Sequence, residues 1–481
     1  MLASNVFPAI ASLAIIPILI RAYGDNQFGM LMICLSIVGY FNVFDLGIGR
    51  AATHIISKKI SDLDPEYDIA ELIRTTLTLA LLLGLLGGFI LWVSSGWFIQ
   101  DILKIEEFSK DYASIFLLLA ITIPFVILTS VIRGVFEAQH LFKLTSVLRT
   151  ILGVSIFLGP YTAVYFGANL RNAVISLFAV RILIFFIHYF ILKNSPILRE
   201  KTPVFKIAWA VKIFKFGSWV TLSNAIGPFL DYLDRFFILS ILGAAAVTYY
   251  VVPFDFLTRL TFISMSISTV LYPFFSKSIK SNGYEIIGIL KNSLFVAPII
   301  IYPFLLIIAA FSQEFLSFWI NDIFSLKSAV VVCFLSLGLL VNSYAQIIYA
   351  YLQGAGRADL TGKLHLIEVV PHLLILGIAI SSFGIIGAAF AWFLRGVIDL
   401  FLMILLIKKI NVSIFTEIQS SLCILVLGIL TIFPLVFFPA IEHRIYIFSV
   451  SVFLYTFYLY WYYKKSNLNQ LLQQIFKRDL N

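Results

Sequence analysis

The chain has 481 residues, 61% of them hydrophobic and only 12% charged, with a mean hydropathy of +1.00. A soluble chain carries roughly twice that charged fraction, and runs such as Leu77 to Trp92 lack the alternation of a membrane β-barrel. The net charge of +9 is spread over short loops rather than gathered into a groove, so nucleic acid is not expected as a partner.

A hydrocarbon core about 30 Å thick needs about 20 apolar residues in a helix. Lipid offers no hydrogen-bond partners, so each span must be helical. An all-α, polytopic membrane fold of about fourteen spans is predicted. The spans fall near residues 2–20, 28–56, 71–98, 111–134, 142–166, 170–192, 216–241, 246–275, 288–312, 328–353, 360–382, 384–407, 414–438 and 444–463. The first run ends in Ile20-Arg21-Ala22-Tyr23-Gly24 without a small-residue cleavage site, and another span follows at once. It reads as helix 1 and not as a removed leader.

Lysine and arginine fall on alternate connections. Twenty-four lie on the even-numbered connections and the tail, against six (Arg21, Lys104, Lys110, Arg171, Lys327, Arg444) on the odd-numbered ones. The positive-inside rule then places both termini in the cytoplasm. The longest connection, residues 193–215, is basic and partly amphipathic. It separates an N-terminal six-helix lobe (1–192) from a C-terminal one (216–407), and helices 13–14 with a tail follow at 408–481.

The two lobes repeat. Tyr23 to Lys58 aligns without gaps with Leu242 to Lys277 at an offset of 219, and Glu137 to Thr145 aligns with Gln353 to Thr361 at 216. Six helices separate the copies, so both point the same way and their pseudo-twofold lies along the membrane normal, an arrangement that builds a cavity between two bundles. Cys34, Cys333 and Cys423 all fall inside apolar spans and define neither a metal motif nor a disulfide framework. No cofactor is expected.

Several segments carry a family resemblance. Phe44-Asp45-Leu46-Gly47-Ile48-Gly49-Arg50-Ala51 closes helix 2 and Asp234-Arg235-Phe236-Phe237-Ile238 lies in helix 7. Ala246 to Asp255 (AVTYYVVPFD) opens helix 8, and Leu352-Gln353-Gly354-Ala355-Gly356-Arg357-Ala358-Asp359 follows helix 10. In order and spacing they resemble the polysaccharide-export branch of the multidrug/oligosaccharidyl-lipid/polysaccharide exporter superfamily, specifically Wzx-type flippases. Relatives usually carry a short basic stretch before helix 1, whereas this chain begins inside it. The resemblance implies a bacterial inner-membrane transporter that moves undecaprenyl-diphosphate-linked oligosaccharide from the cytoplasmic to the periplasmic leaflet by alternating access. It implies membrane lipids and a polysaccharide polymerase with its chain-length machinery as partners.

Ionisable groups at bilayer depth cost at least about 2.5–3.5 kcal/mol each on insertion scales. Opposite charges at i,i+4 share a helix face, and four such pairs are expected: Arg133/Glu137, Asp231/Arg235, Asp255/Arg259 and Arg395/Asp399. Arg181, Arg259 and Arg395 fall near mid-membrane, and Arg181 has no local partner. With Arg235 they are the candidate substrate-binding cations, since arginine binds phosphate oxygens in a fork and keeps its charge when buried. The competing reading is mutual neutralisation within each helix. Asp234, left over once Asp231 pairs with Arg235, is a candidate proton or sodium site with Asp231, or else a polar contact locking helix 7. Asp45 is read as the anchor of a packing turn at Gly47 and Gly49.

Helix 11 presents His365, Glu368 and His372 on one stripe beside Pro371. Zinc is disfavoured without cysteine or further histidine. A proton relay through Glu368 and His372, or plain interhelical hydrogen bonding, fits better. Pro124, Gly227-Pro228, Pro253, Pro303 and Pro371 are the candidate bending points.

Two rivals are open. A drug/cation antiporter of the same superfamily favours a carboxylate-dominated cavity. An enzyme acting on the same lipid-linked sugars needs a substantial outer loop, yet the largest outer connection, about residues 99–110, is barely a dozen residues long. No enzymatic activity is expected.

Overall fold

The computed structural model describes residues 3–43, 48–61, 66–102, 110–198, 204–278, 283–410, 415, 418 and 422–465. Of residues 3–5, 42, 43, 61, 66, 67, 110, 214–229, 231, 277, 278, 283–286, 358, 410 and 461–465 it describes the backbone only. Asp45 and Gly47 lie outside the described residues, as does the side chain of Asp231. Among the described residues the chain is helical throughout, without strands.

The described residues form fifteen α-helices: α1 (Ala3–Val43), α2 (Ile48–Ser61), α3 (Glu66–Trp97), α4 (Lys110–Ala138), α5 (Phe142–Ala163), α6 (Leu170–Lys193), α7 (Ile207–Leu242), α8 (Ala244–Thr258), α9 (Thr261–Ser278), α10 (Gly283–Ala310), α11 (Ser312–Trp319), α12 (Asp322–Gly354), α13 (Ala358–Ile410), α14 (Cys423–Ile432) and α15 (Ile441–Lys465). Nine stretches among the described residues are long and apolar enough to cross a membrane. Asp359–Lys409 holds two expected spans merged across a bend at Gly384, and Val6–Phe41 holds most of the first expected span and the start of the second across a bend at Gly24. The expected spans at 216–241 and 444–463 fall within α7 and α15, and that at 414–438 overlaps the shorter α14, with residues 414, 416, 417 and 419–421 outside the described ones. The chain is a multi-pass membrane protein.

Two expectations change in detail. Helix 7 begins at Ile207, not near residue 216, because the amphipathic end of the linker continues the helix. It is docked there: the Lys206 ammonium pairs with buried Glu71, the Lys206 N–H donates to Thr75 Oγ1 at 3.1 Å, and Lys59 and Lys212 lie 4.9 and 5.2 Å from the Trp209 ring centre. The span expected at 246–275 is broken at Arg259 and Leu260, between α8 and α9. Prolines do not set the breaks, for α4, α8, α10 and α13 run on through Pro124, Pro253, Pro303 and Pro371.

The chain forms two compact units. The first comprises residues 1–259 with 356–395, the second 260–355 with 396–481. In the first, α4 packs on α3 and α6, and α1 lies between α5 and α8. Leu82, Leu85, Leu86, Phe89, Ile90 and Val93 of α3 remain exposed, as expected of a helix face meeting lipid rather than water. In the second, α12 is buried on nearly every side between α9, α10, α11 and α14. There Arg444 donates to both carboxylate oxygens of Glu314 (2.5 and 2.8 Å) and to the Ala310 carbonyl (3.0 Å), and Tyr302 is hydrogen-bonded to Thr431 at 2.8 Å.

The backbone carries the duplication plainly. Six described residues adopt positive φ: Gly24 (70°) and Gly243 (86°), His140 (60°) and Gly356 (73°), Gly167 (102°) and Gly384 (61°). They pair at offsets of 219, 216 and 217 residues, so among the described residues each positive-φ position of the first copy has a counterpart in the second. The first pair of turns also meets within unit 1. A Cβ at Gly29 would lie 1.9 Å from the Ala244 carbonyl oxygen, and Thr248 Oγ1 donates to the Asp25 carbonyl at 2.7 Å. Residues 25 and 29 correspond to 244 and 248 at the same offset of 219, so each contact is the other's mate, the pattern a twofold generates. Tyr249 adds a short hydrogen bond to the Asp25 carboxylate.

Candidate functional site

The first unit buries a cluster of ionisable groups where α7, α8 and α13 approach. Asp234 is 0% exposed. Tyr250 of α8 donates to its Oδ2 at 2.8 Å, and His372 Nε2 of α13 stands 3.5 Å from its Oδ1. That second separation is too long for a hydrogen bond; Asp234 Oδ1 and both His372 ring nitrogens have no other hydrogen-bond partner among the described residues. A buried carboxylate is tolerated only when something compensates its lost hydration, and here that compensation is partial. Glu368, one turn from His372 on the same face, is also buried. Two groups singled out separately in the sequence therefore meet across helices. The helix 11 stripe divides between two uses: His372 faces Asp234, while His365 and Glu368 place ligand atoms within 4.8 Å of one another.

Arg235, next along α7, is 6% exposed and bonded through both terminal nitrogens. Its Nη2 donates to Asp255 Oδ1 at 2.5 Å and its Nη1 to Ser36 Oγ at 2.9 Å, while the guanidinium lies 5.3 Å from the Tyr232 ring centre and 5.7 Å from that of Phe254. These contacts tie α7 to α8 and α1. They revise one of the four expected pairs, for Asp255 serves Arg235 across helices and makes no ion pair with Arg259 four residues on, while Asp231/Arg235 falls on a side chain outside the described residues. Asp255 is taken up by the guanidinium of Arg235, and Arg259 stands at the C-cap of α8, where the helix ends. Arg133/Glu137 forms as expected, at 3.9 Å.

The remaining cations differ in kind. Arg181, midway along α6, is enclosed by protein yet keeps accessible surface, and no hydrogen bond or ion pair reaches it among the described residues. Arg259 is half-buried within electrostatic reach of Asp255 but makes no salt bridge among the described residues. Arg395 is half-buried beside His365. Sequence reasoning did not find Tyr250, Ser36 or Tyr232 as partners. Tyr250 stands in the quoted segment that opens helix 8, but nothing local indicates that its hydroxyl points at Asp234.

Comparison with known proteins agrees with this architecture. The family model described as "Polysaccharide biosynthesis protein" matches residues 1–279. A "Putative O-antigen transporter" of Shigella flexneri is 28% identical over 406 residues, covering 82% of this chain and 93% of the relative. A "Probable low-salt glycan biosynthesis flippase Agl15" of Haloferax volcanii is 24% identical, covering 81% and 78%. Among solved structures, the lipid II flippase MurJ in an inward closed conformation superposes with a TM-score of 0.70 at 15% identity, over 95% of this chain and 98% of that one. An inward-facing multidrug resistance transporter of the MATE family gives 0.71 at 11% identity, over 86% and 99%.

Proposed function

Because the chain belongs to the polysaccharide biosynthesis protein family, we propose that it flips undecaprenyl-diphosphate-linked oligosaccharide repeat units from the cytoplasmic to the periplasmic leaflet of a bacterial inner membrane. Both termini lie in the cytoplasm, the protein changes no covalent bond of its cargo, and a polysaccharide polymerase takes up what it delivers. One observation carries the reading: Arg181 is held deep among membrane helices, accessible, with no counter-ion among the described residues. A charge in that position is too costly to keep unless a ligand or a wet cavity answers it. A lipid-linked diphosphate supplies the missing anion, with Arg259 and Arg395 as further cations along its path. Arg235 holds the helices that frame that path.

Movement of an anion outward is favoured by an inside-negative potential, worth about 2.3 kcal/mol per charge per 100 mV. The Asp234–His372 couple is the coupling element of this proposal. A proton on His372 turns a 3.5 Å contact into an ion pair, and its loss leaves both groups under-satisfied between α7 and α13. The decisive test compares Arg181→Ala with Arg181→Lys for surface-polysaccharide export at matched membrane abundance. Export is expected to fall at least tenfold in the alanine variant and partly return in the lysine variant; full export by the alanine variant overturns the proposal.

A further inference from the structure

We infer that Ser36 is a positioning residue whose hydroxyl latches Arg235 across the boundary between the two sequence copies while the outer side is shut, and releases it when that side opens. This rests on the transport reading above and assigns it a point of control.

The two groups that hold Arg235 are mates. Its Nη1 donates to Ser36 Oγ at 2.9 Å and its Nη2 to Asp255 Oδ1 at 2.5 Å. Residues 36 and 255 are 219 apart, the offset at which the copies match. A group bonded to both members of a mated pair stands between them, on or beside the twofold that relates them. Such a place takes one side chain and not two. At the same offset Arg235 corresponds to Ile16, which is apolar and buried.

The helix faces on either side are mates as well. Gly29, Met32, Ser36 and Gly39 share one face of α1, and Thr248, Val251, Asp255 and Thr258 share the corresponding face of α8. Gly29 and Thr248 make the close contacts next to the turns at Gly24 and Gly243. Met32, Ser36 and Val251 are buried. Further from those turns Gly39, Asp255 and Thr258 are half-exposed. The boundary is therefore shut from the outer turns down to Arg235 and accessible beneath it.

Arg235 and Asp255 belong to the second copy and Ser36 to the first. When the copies part on the outer side to release a head group, Asp255 travels with Arg235, and the bond to Ser36 is the one that breaks. A hydroxyl suits that duty. It donates to the Met32 carbonyl at 2.7 Å, which turns its oxygen to accept from Arg235. Being neutral, it also lets go more readily than a second carboxylate would.

The test reads the opening directly. Met32→Cys, in a full-length chain whose Cys34, Cys333 and Cys423 are replaced by alanine, is exposed in spheroplasts to a membrane-impermeant thiol reagent. Its labelling rate follows the fraction of molecules open on the outer side. Ser36→Ala leaves an Arg235 N–H unanswered only in the shut form, so it is expected to raise that rate about tenfold. In a background of Arg235→Met with Asp255→Leu, the same substitution should change the rate by less than about twofold. An equal rise in both backgrounds would assign Ser36 to packing alone and overturn the inference. A rate indifferent to Ser36, or a cysteine that no variant labels, overturns it too, and continued polysaccharide export by that chain leaves the transport reading standing. Labelling as expected in cells whose polysaccharide reaches the surface without this protein keeps the latch and removes the transport reading.

Discussion

Arg235 and Arg181 present the same cationic group within apolar helices of the same compact unit, and the protein treats them in opposite ways. Arg235 is wrapped: a carboxylate, a hydroxyl and two aromatic rings surround it. Arg181 is enclosed but unanswered among the described residues. Charge at depth therefore does not identify a site by itself. What separates a structural cation from a functional one is whether the chain supplies the compensating groups, because burial makes an uncompensated charge expensive.

The contrast can be broken from the Arg235 side first. Arg235→Gln leaves Asp255 and Ser36 without their donor and is expected to cost about 2–4 kcal/mol, the partial exposure of Asp255 keeping it below the full penalty of a wholly buried pair. A lowered melting temperature in detergent and reduced membrane abundance would register it. Replacing both partners, as Arg235→Met with Asp255→Leu, should recover more than half of that loss, because no charge is then left alone. Stability in the double variant no better than in Arg235→Gln would sink the packing role.

A smaller effect is expected next door. Tyr250→Phe removes the hydrogen bond to Asp234 Oδ2 and should cost about 1–2 kcal/mol by thermal melting, with export reduced more than abundance. The smallest stability change belongs to Arg181→Gln, within about 0.5 kcal/mol of wild type, since no partner is abandoned among the described residues. A melting temperature as low as that of Arg235→Gln would make the two arginines alike and erase the distinction.

Much of the fold was legible in the sequence because the bilayer leaves the chain few choices. Apolar runs must be helices, and the alternation of Lys and Arg between connections sets a topology. Gly24 and Gly243 could be read as outer turns from composition alone, and both adopt positive φ. His140 could not, since nothing in Gln139-His140-Leu141 announces a left-handed residue; only its counterpart Gly356 reveals what that turn requires.

The site was legible one residue at a time but not as an arrangement. The i,i+4 rule found Arg133/Glu137, where the helix is regular, and failed at Asp255/Arg259, where α8 ends. It could not foresee that Asp255 would reach back to α7, or that His372 would stand against Asp234, because such meetings are made by packing between distant segments. Residue type told which groups were costly. Only the tertiary contacts told which of them the protein had already satisfied.

The mated contacts at Gly29/Ala244 and Asp25/Thr248 have a consequence for how this chain is put together. A junction whose two sides are interchangeable needs no record of which half came first, so two separate copies of a single half could dock through it as a symmetric dimer. Fusing them into one polypeptide frees each side to diverge. The close glycine has stayed on one side and the hydroxyl on the other, leaving a seam that is symmetric in shape and asymmetric in chemistry.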